Sequence, residues 1–183
     1  GREVLDNPSM PQHLPGKQML AAVGQSYLMQ VYSTLFDHYG LKIGQVLLTH
    51  DDLRHRTRYL NARNTLQTLL DYGVIPIVNE NDTLAVEEIK VGDNDNLSAQ
   101  IAALLDADKL ILLTDQDGLY DADPRLNPEA HLIASIKKIS ERIWALAGDT
   151  QTEQGTGGMI TKIQAAQLAT RSGTTTIIAR GTT

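Results

Sequence analysis

Cysteine is absent from the 183 residues, which removes disulfides and thiolate metal sites and fits a reducing compartment. No apolar run approaches the roughly 20 residues that span a bilayer. The opening Gly1-Arg2-Glu3-Val4 carries no apolar signal-peptide region. A soluble, cytoplasmic protein is the expectation. Net positive charge is missing too: a formal charge of −6 favours neither nucleic acid nor an anionic membrane as partner, and solubility alone accounts for it equally well. The histidines His13, His38, His50, His55 and His131 are scattered without metal-ligand spacing, so none is read as catalytic or metal-bound. No Ser-His-Asp arrangement, Walker spacing, G-x-G-x-x-G, internal repeat or low-complexity segment is recognisable.

What is present is a globular composition, 42% hydrophobic and 21% charged, in a length suited to one domain with a sizeable core. Pro8, Pro11 and Pro15 mark the first segment as a loop. Leu20, Val23, Tyr27, Val31 and Leu35 then recur at helical spacing, predicting a helix from about Lys17 to Tyr39 closed by Gly40. Tyr27, Tyr32 and Tyr39 read as packing or solvent-facing residues of that segment. Ile43–Leu48 suits a buried strand. Asp51 or Asp52 can cap a helix carrying Leu60, Leu66, Leu69 and Leu70 and ending near Gly73. Val74–Val78 reads as a strand with Pro76 near its start or an edge.

Further on, Leu97–Leu105 is predicted helical, Leu110–Leu113 a strand, Gly157–Ser172 a helix and Thr176–Ala179 a strand. The strands are continuously apolar and alternate with helices. That pattern means a mainly parallel sheet covered on both faces, a three-layer α/β/α sandwich. Asn79–Asp95 is too polar for core and could hold a small hairpin.

Ligands of such sheets bind beyond the carboxyl ends of the strands, where this sequence places polar clusters. Asn79-Glu80-Asn81-Asp82 follows one strand and Thr114-Asp115-Gln116-Asp117-Gly118-Leu119-Tyr120 another. Gly92-Asp93-Asn94-Asp95-Asn96 precedes a helix, as does Gly155-Thr156-Gly157-Gly158, with Lys162 one turn further on. A glycine-rich turn lets backbone N–H groups approach a phosphate, and the helix start adds partial positive charge. Side chains tilt toward a helix N-terminus, so the Lys162 ammonium can reach back over the turn. Ordinary capping would look the same. Asp93, Asn94 and Asp95 suit either a solvated cap or a polar network for an amine, a metal or a lysine, and Asn79–Asp82 either turn chemistry or substrate recognition. Asp117-Gly118 suits a tight turn.

Taken in order, these clusters resemble the amino-acid-kinase superfamily. The resemblance rests on Thr114–Tyr120 with Asp123-Pro124-Arg125, and on Gly155–Met159 with Thr161, Lys162, Ala165 and Ala166. Asn79–Asp82, Lys90–Ala99, Lys17-Gln18 and Ala21–Gln25 are more specific, and over essentially the whole chain the pattern is similar to the glutamate 5-kinase family. That resemblance implies ATP-dependent phosphorylation of the γ-carboxylate of L-glutamate, giving glutamyl 5-phosphate on the route to proline. It implies that Asp82 and Asn94 bind glutamate with Asn79 and Asp93 close by, and that Thr114 and Asp115 line the nucleotide site. It further implies that Thr156, Gly157, Gly158, Met159, Ile160, Thr161 and Lys162 hold ATP phosphates, Lys162 acting catalytically and Asp95 orienting it. ATP and Mg2+ are the implied cofactors, the magnesium held largely by phosphate oxygens and water. Proline as feedback inhibitor and a homo-oligomer are implied as well, the long early helix offering an interface.

Against the family pattern, the chain begins after a strand, a glycine-rich loop with a further phosphate-contacting lysine, and a Ser-Gly motif. It stops before the kinase domain ends and shows no C-terminal RNA-binding-like domain. The expectation is a partial amino-acid-kinase domain over residues 1–183, weakly active or inactive by itself. The rival readings are a kinase acting on aspartate, acetylglutamate or a nucleotide monophosphate, and a non-catalytic amino-acid sensor.

Overall fold

The structure, a computed structural model, describes residues 5, 13–84, 94–124, 126–148 and 158–181. The chain divides into two compact units, Gly1–Val91 and Gly92–Thr183, and each is described by itself. Strands and helices alternate as the sequence predicts, and both strand pairs among the described residues are parallel. No helix among them is long and apolar enough to cross a membrane.

The first unit holds helix α1 (Leu14–Asp37), strand β1 (Lys42–Leu48), helices α2 (His50–Arg54) and α3 (Arg56–Asp71), and strand β2 (Val74–Glu80). Helix α1 begins earlier than its apolar period suggests. Pro15, expected in a loop, sits in its first turn, where a missing N–H costs nothing. The His13 Nδ1 caps that turn, accepting from Gly16 N at 3.0 Å. Gly40 and Gly73 follow α1 and α3 at φ +69°, a left-handed conformation that glycine adopts without steric cost.

The helix expected after β1 is two helices. Thr49, rather than Asp51 or Asp52, is the cap, and Asp52 completes a reciprocal capping box: its N–H donates to Thr49 Oγ1 at 3.3 Å and its Oδ2 accepts from Thr49 N at 2.8 Å. His55 then adopts an extended conformation that breaks the helical path. Among the described residues of this unit the buried apolar side chains are Leu20, Leu48, Ala62 and Leu66, the last fully enclosed.

Strands β1 and β2 pair from Lys42↔Val74 to Leu48↔Glu80. Pro76 is the third residue of β2, near its start as expected. Asn79 and Glu80, expected just beyond the strand, belong to it because pairing continues to Leu48. The hairpin expected within Asn79–Asp95 falls largely outside the described residues.

The second unit holds helix α4 (Asn94–Leu104), strand β3 (Lys109–Thr114), helices α5 (Glu141–Gly148) and α6 (Met159–Arg171), and strand β4 (Thr175–Arg180). Asn94, Asp95 and Asn96 do not precede α4 but form its first turn, where short polar and acidic side chains are favoured. Strands β3 and β4 pair from Lys109↔Thr175 to Thr114↔Arg180. Ala99, Ala102, Ala165 and Ala169 let α4 and α6 approach closely over Leu110 and Leu112. Ile111, Leu113 and Ile177 lie on the other side of these strands and are exposed. A second cluster joins Leu119, Ala147, Met159 and Ile163, with Trp144 against it. It involves α5, for which the sequence reading offered no element.

The fully enclosed Leu66 makes a sensitive probe. Leu66→Ala is expected to lower the unfolding free energy by about 2–5 kcal/mol through lost contacts and a cavity. Thr49→Ala, losing only the cap, should cost about 1 kcal/mol. Urea melts followed by circular dichroism would show this ranking; equal losses would contradict the packing described.

Candidate active site

Two helix starts meet around one ion pair. Asp95 stands in the first turn of α4 and Lys162 in the first turn of α6. The Lys162 Nζ lies 2.9 Å from Asp95 Oδ2 and 3.3 Å from Oδ1. Their side chains are only 10% and 16% exposed, so two full charges sit largely out of water. Thr161 Oγ1 is 2.8 Å from Asp95 Oδ2 and 2.8 Å from the Gly158 carbonyl, and its single proton can serve one of them at a time. Ser98 donates to the Asp95 carbonyl at 2.7 Å.

A carboxylate is favourable at a helix start, whereas an ammonium is opposed by the helix dipole. Asp95 therefore compensates Lys162 against both burial and the field of α6. A buried pair of this kind is weak evidence for stability, and two enclosed charges beside a helix start are better explained by a task for the ammonium.

The start of α6 suits an anion. Gly158 is its N-cap, with no side-chain hydrogen bond to the first-turn amides, and helix-start N–H groups left without such partners are anion donors. Met159, Ile163 and Lys162 are buried there, while Ile160 is exposed. Thr156 and Gly157, expected to complete the turn, lie outside the described residues.

Thr114 and Asp115 end β3 and begin its loop. Thr114 is half-buried and its hydroxyl donates to Asp115 Oδ1 at 3.1 Å. Further along, Asp117 accepts from Arg180 Nε at 2.7 Å and Nη2 at 3.2 Å, and from the Tyr120 hydroxyl at 3.0 Å. Those hydrogen bonds hold the Asp117 carboxyl below the usual carboxylate range, Arg180 contributing most and Tyr120 next. The same bond to Asp117 raises the Tyr120 phenol.

In the first unit, Asn79 Nδ2 donates to Gln25 Oε1 at 2.9 Å, joining the end of β2 to α1. The Gln25 amide nitrogen is buried without a partner among the described residues. Asp82 lies two residues past β2, and burial pushes its carboxyl above the usual range. His50 Nε2 is 3.9 Å from Glu80 Oε1.

Of the residues nominated from sequence, Asp95, Gly158, Met159, Ile160, Thr161 and Lys162 are brought together around the α4 and α6 starts. Thr114 and Asp115 stand at a strand end in the same unit. Asn94 is exposed at the start of α4, and Asp93 lies outside the described residues. Asn79 and Asp82 sit at the end of β2 in the other unit. Gln25 and Tyr120 appeared in the sequence only within motifs, without a role; Arg180 appeared in none. A hint for Arg180 was available, because a cation directly after an apolar strand falls at the ligand-binding edge.

Residues 3–180 match the family model described as Amino acid kinase family. Proteins named glutamate 5-kinase from Pasteurella multocida, Deinococcus radiodurans and Vibrio vulnificus are each 57% identical over 181 residues, 99% of this chain. The chain spans about half the length of these relatives: 49%, 50% and 48%. Among solved structures, the product complex of T. acidophilum isopentenyl phosphate kinase matches with TM-score 0.58 at 21% identity, over 91% of this chain and 62% of that one. UMP kinase from Ureaplasma parvum matches with TM-score 0.51 at 15% identity, over 100% and 67%. These structural likenesses establish the fold, the α/β class with parallel strands that the alternation of elements predicts. With the ion pair of Asp95 and Lys162 set at the glycine-led start of α6, and a family match that spans both compact units, the chain belongs to the amino acid kinase family.

Proposed function

We propose that the protein carrying this chain phosphorylates the γ-carboxylate of L-glutamate with ATP, forming glutamyl 5-phosphate at the first step of proline biosynthesis. The single observation that carries the proposal is Lys162, buried yet ionically paired to Asp95, in the first turn of a helix whose N-cap, Gly158, places no side chain over its first amides. The high identity to proteins named glutamate 5-kinase supports the choice of acceptor. Both units are taken as parts of one kinase domain, in keeping with a family match that crosses their boundary.

In this reading a glutamate carboxylate, already ionised near neutral pH, attacks the γ-phosphorus in line as the bond to the β,γ-bridging oxygen breaks and ADP leaves, and no general base is needed. Catalysis is then positioning plus neutralisation of the negative charge that spreads over the transferring group. Lys162 supplies the cation and Asp95 holds it in place. Gly158, Met159, Ile160 and Thr161, with Thr156 and Gly157, cradle the phosphates, while Thr114 and Asp115 line the nucleotide side. The amino-acid-binding role falls to Asp82, Asn94, Asn79 and Asp93. A desolvated carboxylate such as Asp82 gains most from an ammonium partner, and glutamate carries one. Magnesium enters as the counter-ion of the nucleotide. When bound with the nucleotide it would neutralise phosphate charge; among the described residues no cluster of three or more His, Cys, Asp or Glu forms a metal site of its own.

A cytoplasmic location, inhibition by proline near the amino-acid site, and self-association belong to the same proposal. Helix α1 supports the last: no charge interrupts it between Lys17 and Asp37, and Tyr27, Val31 and Leu35 are exposed.

Trapping the acyl phosphate with hydroxylamine tests the chemistry. Lys162→Ala is expected to lower kcat by about 10²–10³, and Asp95→Asn to follow in the same direction, with circular dichroism confirming that each variant is folded. Turnover unchanged in Lys162→Ala would remove the proposed role of the ammonium.

Asp82→Asn separates ligand binding from stability. It should raise KM for glutamate at least about tenfold while leaving KM for ATP alone. Because burial raises the folded-state pKa of Asp82, its contribution to stability is full below the unfolded value near 4 and is lost as pH rises through the folded value. The Asn variant should therefore melt no lower than the parent at pH 7 without ligand, with any advantage vanishing below about pH 4. A clear drop in melting temperature at pH 7 would show that Asp82 is structural.

A further inference from the structure

Arg180, the last residue of β4, lies opposite Thr114 in the parallel register. Its guanidinium grips Asp117 through Nε and Nη2, and the Tyr120 hydroxyl meets the same carboxylate. The fork thus ties the loop after β3 to the end of β4. Both ends of that loop are fastened separately. Gly181 N donates to the Thr114 carbonyl at 2.8 Å, and Ile133 N to the Leu119 carbonyl at 2.8 Å. Leu119 is buried at 4% exposure. Gly118 is held at φ +153°, and a Cβ there would meet Leu132 Cδ1 at 3.1 Å.

Asp115 and Asp117 project from between these anchors, exposed. Among the described residues the fork holds Asp117, while Asp115 accepts from the Thr114 hydroxyl. Arg180 and Asp117 are each about half exposed, 47% and 46%, and exposed ion pairs contribute little to stability. A two-point fork with a third donor, at the strand ends where ligands of parallel sheets bind, is better explained by the shape it gives the loop. Geometry of this kind is specific to arginine, because a lysine cannot donate to both oxygens from a rigid plane.

We propose that Arg180, acting through Asp117 and Tyr120, is a positioning residue that fixes the Asp115–Asp117 turn, so that nucleotide affinity depends on it and amino-acid affinity does not. This rests on the reading of Thr114 and Asp115 as nucleotide-side residues.

Titration of the full-length protein that carries this chain with a fluorescent ATP analogue, and separately with glutamate, tests it. Arg180→Met and Asp117→Asn are each expected to weaken nucleotide binding about five- to tenfold. The double variant should be no weaker than either single one, since both remove the same fork. Arg180→Lys should resemble Arg180→Met. Glutamate binding should be unchanged, and melting temperatures should stay within about 2 °C of the parent.

Parent-like nucleotide binding by Arg180→Met, while Asp115→Asn loses affinity, overturns the latch and leaves the nucleotide site standing. Parent-like binding by Arg180→Lys assigns the effect to charge alone and overturns it as well. Loss of both ligands together with a fall in melting temperature shows a general structural role instead. Absence of nucleotide binding by the parent chain removes the nucleotide reading and the latch together.

Discussion

The rest of the second unit is arranged around one electrostatic constraint. A lysine ammonium is enclosed at the start of a helix, where both desolvation and the helix field oppose its charge. Asp95 answers both, and it can do so only because α4 and α6 lie close enough for their first turns to touch. The closeness has a packing cause in Ala99, Ala102, Ala165 and Ala169, which leave little side chain between the two helices. Leu110 and Leu112 of β3 support the pair of helices from beneath. Removing a small residue from this contact would therefore act on the ion pair as well as on the core.

The start of α6 combines features that pull in different directions. Gly158 leaves the first-turn amides without a side-chain cap, which costs the isolated helix stability but opens it to an anion. Lys162 adds a cation to the same turn, which the helix alone would not favour. Each becomes sensible in the presence of a phosphate. In the first unit, at the end of β2, burial raises the Asp82 carboxyl, no cation among the described residues offsets it, and Asn79 is steered by Gln25.

Much of the fold was legible because it rests on local chemistry. The apolar runs around Val46, Ile77, Leu112 and Ile178 became strands, and the periodic segments around Val31, Leu66, Ala102 and Ala165 became helices. The errors cluster at boundaries. Pro15 reads as a loop breaker but is equally at home in a first helical turn. Asp52 reads as a cap, yet Thr49 takes that place because the hydroxyl and the Asp52 carboxylate satisfy each other's backbone amides. Helix α5 is short, and its Trp144 and Ala147 belong to a cluster with Leu119, Met159 and Ile163 that only the folded chain assembles.

By itself the sequence determined which chemical groups are available and roughly where along strands and helices they fall, since hydrophobic period and turn chemistry act over a few residues. It marked Lys162, the glycines before α6 and the polar clusters at strand ends as candidates. Tertiary structure decided which groups meet. Asp95 and Lys162, and likewise Asp117 and Arg180, are far apart in the chain. Their pairing depends on helix approach and strand register, which follow from packing over the whole unit rather than from any local pattern. Charge compensation is a matter of distance in space, and only the folded chain sets that distance.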